Sequence, residues 1–266
     1  MSLIMYNIRS GSSGNCSFVG NEKGGLLVDA GIPCKTIVEE LKAANIPLSI
    51  IKGVLVTHEH SDHCKSVSSI AKMLDIPVYS TEGTLDAMAM NKSLKLDVEA
   101  IGIEPDQSFF ASNMEILPFS IPHDAAQPVA YKFFSDGHSV CICTDLGFVP
   151  KKVYEVLEGS EVLLFESNHD VDMLQSSTKY PIFLKRRILS RTGHISNELC
   201  SENILKLCQS GTKHFILGHL SRNTNTYELA YNTTKKVLLD KGAEPNIDFS
   251  LCCARHDARS NVYILK

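Results

Sequence analysis

The run His58-Glu59-His60-Ser61-Asp62-His63 constrains this chain more than any other feature. Three imidazoles and two carboxylates fall within six residues, directly after the apolar, β-branched run Ile51–Thr57. A strand ending there delivers the run onto a sharp loop. On such a loop His58 and His60 can turn towards one centre while Asp62 and His63 turn towards another. Imidazole and carboxylate are the donors that Zn²⁺, Mn²⁺ and Fe²⁺ accept. Glu59 and Ser61 alternate with these residues and are expected to face away. A helix is expected over His63–Leu74, and its first amides can help to hold Asp62.

Three more polar residues stand where an apolar run ends. His123 follows Ile116–Pro122, Asp145 follows Val140–Thr144, and His219 follows Phe215–Gly218. Each alone reads as an ordinary loop or core residue. Together with His58, His60, Asp62 and His63 they make seven donors, the number that two adjacent ions need.

Periodicity places strands at Leu3–Ile8, Cys16–Val19, Gly25–Asp29, Ile51–Thr57 and Val78–Thr81 in the first third, with helices at Lys35–Ala44 and Glu82–Met90. The middle reads as all-β, with Glu115–Ser120, Val129–Ser135 and Ser139–Thr144, and Asp136-Gly137 as a hairpin turn. The second half alternates again: strands at Val162–Glu166 and His214–Leu217, helices at Phe183–Ser190, Asn197–Gln209 and Tyr227–Lys241. A closing strand pair is expected from Asp248–Ala254 and Asn261–Leu265. Two halves that share this plan fit two packed sheets with helices outside, an α/β (α+β) domain spanning 1–266 without a linker.

Composition narrows the class. A hydrophobic content of 44% supports a full core, and a formal charge of −4 excludes a strongly basic nucleic-acid clamp, so polyanion binding must come from a local patch. Nine scattered cysteines, an odd number, point to a reducing cytoplasm rather than a disulfide framework. Cys141 and Cys143 read as buried strand residues. No signal-peptide pattern and no membrane-length apolar run is present, so no membrane partner is expected.

In this order, Asp29, then His58/His60/Asp62/His63, then His123, Asp145 and His219, the chain resembles the metallo-β-lactamase superfamily across essentially its whole length. The resemblance implies a four-layer αββα sandwich. It also implies that His58, His60 and His123 hold one ion, that Asp62, His63 and His219 hold the other, and that Asp145 bridges them. Asp29 would then orient the histidine loop from behind. Two divalent ions, Zn²⁺ or Mn²⁺ with Fe²⁺ as a further option, would bind a shared water whose pKa falls from about 15.7 to about 7. The resulting hydroxide attacks carbonyl carbon or phosphorus, and Asp62 is counted with the catalytic groups.

The substrate is read from Glu166, which ends Val162–Phe165, and from His194 in Thr192-Gly193-His194-Ile195-Ser196. A carboxylate that orients a histidine makes a general acid for an alkoxide leaving group. This pair resembles that of the phosphodiesterase and nuclease branch. Lys179, Lys185, Arg186, Arg187 and Arg191 cluster before His194, and Arg222 follows His219, with Arg186, Arg187 and Arg222 the candidates for phosphate contacts. Only 21 residues separate His123 from Asp145 and 73 separate Asp145 from His219, too few for a tRNA-gripping arm or a large inserted domain. Ser10–Asn15, Glu166–Asp170, Leu184–Ser190, Gly193–Asn197 and Gly218–Asn223 together resemble the YycJ group, also called WalJ or VicX. That resemblance implies a 5′-to-3′ DNA exonuclease connected with repair. Ile195 stands where leucine is commoner, and the acidic net charge fits DNA awkwardly. The alternatives are a small-molecule phosphodiesterase and an acyl (lactone or thioester) hydrolase. A non-enzymatic metal-stabilised scaffold would not need so complete a ligand set.

Overall fold

The structure is a computed structural model that describes residues 2–266. It contains two seven-stranded mixed sheets with helices α1 (Cys34–Ala43), α2 (Ser61–Cys64), α3 (Val67–Leu74), α4 (Glu82–Met90), α5 (Lys151–Leu157), α6 (Val171–Ser176), α7 (Ile182–Ile188), α8 (Asn197–Gln209) and α9 (Tyr227–Asp240). The first sheet has the order β14 (Val262–Leu265), β1 (Leu3–Arg9), β2 (Cys16–Gly20), β3 (Gly25–Val28), β4 (Ile51–Leu55), β5 (Val78–Ser80), β6 (Ala100–Gly102). The second has the order β13 (Ser250–Cys253), β12 (His214–Gly218), β11 (Val162–Glu166), β10 (His138–Cys143), β9 (Val129–Ser135), β8 (Met114–Ser120), β7 (Phe109–Ala111). The chain divides into two compact units, one formed by residues up to Ser120 with Ala125–Ser139 and Arg255–Lys266, the other by Ile121–Asp124 with Val140–Ala254.

In the first unit, β3, β4 and β5 run parallel, with Val28 opposite Leu55 and Leu55 opposite Tyr79. Such strands are covered on both faces and are rich in branched apolar residues. Tyr6, Phe18, Leu27, Val54 and Val56 meet Ile37 and Leu41 of α1 and Val67 and Ile70 of α3 in one core. The helix pairs are spaced i, i+4 and i, i+3, which puts each on one face.

In the second unit, β10, β11, β12 and β13 are parallel, with Cys143 opposite Phe165 and Phe165 opposite Leu217. Helix α8 buries Cys200, Ile204 and Leu207, and α9 buries Ala230, Thr234 and Leu238. Both start on a side-chain cap, the hydroxyl of Ser196 accepting from Leu199 N and that of Thr226 from Leu229 N. Cys141 and Cys143 are buried in β10, as their apolar setting indicated.

Two expectations are corrected. The helix expected over His63–Leu74 is two helices, α2 and α3. The Asp62 carbonyl accepts from Asn15 N and the Ser66 amide donates to Ala30 O, each 2.8 Å, so the Asp62–Ser66 helical bond is replaced by tertiary ones. The two C-terminal strands do not pair with each other: β13 pairs in parallel with β12, and β14 antiparallel with β1. Sequence reading also passed over β6, β7, α5 and α6, which have three to seven residues each and too few buried positions to show a period. No helix among the described residues is long and apolar enough to cross a membrane.

The hydroxyl of Tyr131, fully buried in β9, donates to Val56 O at 2.8 Å, just upstream of the histidine run. Val56 O also accepts from Ser80 Oγ at 2.8 Å. Tyr131→Phe therefore deletes one bond without orphaning its acceptor, and the expected loss is about 1 kcal/mol in urea unfolding.

Candidate metal centre

In the first unit the site residues hang from the carboxyl ends of β3 and β4. Asp29 directly follows β3 with φ 61°, a left-handed conformation that costs a non-glycine residue on the order of 1–2 kcal/mol. Its buried carboxylate repays that cost through bonds. Oδ1 accepts from Thr57 N at 2.8 Å and from Thr57 Oγ1 at 3.1 Å, and Oδ2 accepts from His63 Nδ1 at 2.8 Å. With Nδ1 committed to Asp29, His63 turns Nε2 towards Asp62 Oδ2, 3.5 Å away, and Asn15 Nδ2 lies 3.0 Å from the same nitrogen. His58 is held through Nδ1 by Thr57 Oγ1 at 3.0 Å, and its Nε2 lies 3.0 Å from His60 Nδ1. Two imidazole nitrogens thus converge, with a third imidazole beside them at a ring-centroid distance of 4.1 Å from His58.

The close approach behind this loop requires glycine. A Cβ on Gly31 would lie 1.6 Å from Asp62 O. Residues 30 and 31 are stitched in place by Ala30 N to His63 O and Gly31 N to Asn15 O, 2.8 and 2.9 Å. The Ser10–Asn15 loop therefore holds the backbone and side chain of the histidine run, a contact that sequence reading did not foresee.

In the second unit Asp145, Glu166 and His219 leave the carboxyl ends of three adjacent parallel strands, where ligands of open α/β sheets gather. Asp145 and His219 again have left-handed backbones, φ 65° and 54°. Donor atoms of Asp145, Glu166, His194 and His219 all lie within 4.8 Å of one another. Asp145 Oδ1 is 3.3 Å from His219 Nδ1, 3.8 Å from His194 Nδ1 and 3.9 Å from His123 Nε2. His123 directs its other nitrogen at Gly193 O, 3.3 Å away.

Glu166 is completely buried and has a partner on every side. Oε1 lies 2.8 Å from His194 Nδ1 and 2.9 Å from His219 Nδ1, while Oε2 accepts from Leu146 N at 3.0 Å and Ile195 N at 3.2 Å. Burial acts to raise its pKa, but the charges and hydrogen bonds of the two imidazoles outweigh it and hold the carboxyl well below the usual range. The carboxylate expected to orient His194 thus also grips His219, which sequence reading missed. Asn168 Nδ2 supports the same residue by donating to His219 O at 2.9 Å. His194 enters on the turn after α7, where Gly193 is required because a Cβ there would sit 2.2 Å from the carbonyl oxygens of Arg187 and Ile188.

The three arginines are exposed. Arg187 forms a bidentate pair with Asp124, at 2.5 and 2.8 Å, so its guanidinium is committed next to His123. Arg191 lies over the Phe148 ring, 4.2 Å from its centroid. The carboxylate and imidazole donors of Asp145, Glu166, His194 and His219 are of the types that divalent cations accept, and a cation would neutralise the buried carboxylate charge.

Residues 26–220 match the family described as "Beta-lactamase superfamily domain", and the chain belongs to that superfamily. It is 38% identical over 243 residues to "Exodeoxyribonuclease YycJ" of Bacillus anthracis, with 91% of each chain covered. It is 36% identical over 246 residues to "Exodeoxyribonuclease WalJ" of Streptococcus pneumoniae, covering 92% of this chain and 91% of the relative. Within the superfamily it is thus a member of the YycJ/WalJ family. Among solved structures it shares the fold of the metallo-β-lactamase fold protein YhfI from Bacillus subtilis, with a TM-score of 0.72, 15% identity, and 99% and 100% of the two chains covered.

Two outcomes are expected from this geometry. Gly31→Ala pushes on the Asp62 backbone, so it lowers stability by about 1–3 kcal/mol and reduces bound metal measured by elemental analysis. The second concerns His169, whose ring is fully buried with neither nitrogen hydrogen-bonded among the described residues. Burial lowers its pKa from 6.5 to about 4. The unfolded chain therefore takes up the proton first. Stability from this group is complete above about pH 6.5 and falls as pH drops towards 4, by about 3 kcal/mol in all. Urea midpoints at pH 7 and pH 4.5 should fall further apart in the wild type than in His169→Gln.

Proposed function

We propose that this chain is a 5′-to-3′ DNA exonuclease that works with two divalent metal ions, Zn²⁺ or Mn²⁺ with Fe²⁺ as a further option. In this reading His58, His60 and His123 hold one ion, Asp62, His63 and His219 hold the other, and Asp145 is shared. The converging nitrogens of His58 and His60 support the first group, and the orientation of His63 by Asp29 and of His219 by Glu166 supports the second. When bound, such a pair lowers the pKa of water to about 7 and takes up charge on phosphate oxygens. The names of the relatives support DNA as the substrate. Nine cysteines present as free thiols fit a cytoplasmic setting.

The observation that carries the phosphoester reading is the Glu166–His194 pair, 2.8 Å apart beside Asp145. Glu166 fixes the ring by accepting at Nδ1, which leaves Nε2 to give its proton to the departing alkoxide. His194 is part-buried at 12% exposure, so substrate can reach it while the carboxylate behind stays dry. Acyl-transfer chemistry with a good leaving group has less need of this donor. Asp62, partly exposed and 3.5 Å from His63 Nε2, is assigned to the reacting water as well as to metal.

His194→Ala is expected to lower kcat on a 5′-labelled DNA duplex with Mn²⁺ by about 10²–10⁴-fold, with bound metal unchanged by elemental analysis. Unchanged turnover in that variant removes His194 as the acid. If the wild type cleaves bis(p-nitrophenyl) phosphate but never releases labelled mononucleotides, the substrate is a small phosphodiester instead.

A further inference from the structure

Helix α7 and the residue after it present large apolar side chains to solvent beside the exposed Arg186 and Arg187. Ile182 is 68% exposed, Phe183 71% and Leu189 49%. Residues three or four apart share a helix face, which places Ile182, Phe183 and the exposed Arg186 together, with Leu189 one turn on. An exposed aliphatic and aromatic pair beside a cation suits neither a solvated helix nor a buried one.

The helix is also tied at both ends to the second unit's site. Its last carbonyls receive the turn that carries His194, with His194 N donating to Ile188 O at 2.9 Å. Arg187 pairs with Asp124, the neighbour of His123. Upstream, Lys179 Nζ donates to Asn223 Oδ1 at 3.2 Å, and Tyr180 Oη lies 3.3 Å from Ser221 Oγ, in the loop after His219. Phe183 stands five residues before Ile188, about 7.5 Å along the axis at ~1.5 Å per residue.

We infer that Ile182 and Phe183 form a base-stacking platform that grips the strand a few nucleotides from the scissile phosphate, with Arg186 on the backbone beside them. The inference rests on the nuclease reading and deepens it: the substrate is a polynucleotide with unpaired bases near the cleaved end, not an isolated phosphodiester. Charge complementarity selects this occupant, because Lys179, Arg186 and Arg222 are exposed around the same tethered segment. Every base offers a π-face, so such a platform grips without reading sequence.

The test uses the full chain with Mn²⁺, a 5′-phosphorylated single-stranded 20-mer and bis(p-nitrophenyl) phosphate, which has no bases. For Phe183→Ala the ratio of kcat/KM on the 20-mer to that on the small ester should fall about tenfold, the size expected for one lost stack, through KM rather than kcat. Phe183→Trp should restore the ratio, which a merely structural role would not produce. A ratio within twofold of wild type in Phe183→Ala overturns the platform while leaving the nuclease reading intact. A wild type that hydrolyses the small ester but not the 20-mer overturns both. A wild-type dimer that Phe183→Ala turns into a monomer in sedimentation assigns the patch to self-association and also overturns the platform.

Discussion

A buried carboxylate organises the second unit. Glu166 enters at the end of a strand with no solvent around it, so it is tolerable only if both oxygens are bonded. Two backbone amides and two imidazoles meet that demand, and the imidazoles belong to different tasks, one to the proposed acid and one to a proposed ligand. The position of His194 is thereby tied to that of His219, and neither ring can rotate without exposing a charge to an apolar interior. Asp29 plays the same part in the first unit, where one carboxylate fixes the backbone and hydroxyl of Thr57 together with the ring of His63.

These carboxylates work because the chain accepts strain next to them. Asp29, Asp145 and His219 all occupy the left-handed region directly after or near strand ends. There the backbone turns abruptly and throws the side chain across the strand ends instead of along the sheet. Aspartate and histidine tolerate this region better than most residues, and the bonds they gain offset the cost. Where two backbones must nearly touch, as at Gly31 against Asp62 and Gly193 against the end of α7, no side chain fits at all.

The histidine run was legible because its donors are consecutive and follow an apolar strand. His123, Asp145 and His219 were legible because each stands at the end of such a run, and Glu166 and His194 because they resemble a known acid pair. What stayed hidden is what the fold alone brings together. Asn15 reaches His63 across 48 positions, and Glu166 reaches His219 across 53. The ion pair of Arg187 with Asp124 spans 63 positions and commits an arginine that its neighbours in sequence leave looking available. The break between α2 and α3 was hidden for the same reason, since local periodicity runs through it and only the tertiary bonds to Asn15 and Ala30 cut it.

The parallel arrangement of β10, β11 and β12 has a consequence for how such a site varies. Asp145, Glu166 and His219 are set by strand register, whereas the chain between them passes through α5 and then through α6, α7 and α8. Those crossovers are free to lengthen, shorten or change character without displacing the strand ends. Asp145, Glu166 and His219 are thus placed independently of the crossovers, whereas His194, on the turn after α7, is carried by one of them. The exposed face of α7 can therefore change while Asp145, Glu166 and His219 keep their places, provided the helix end that holds His194 is kept.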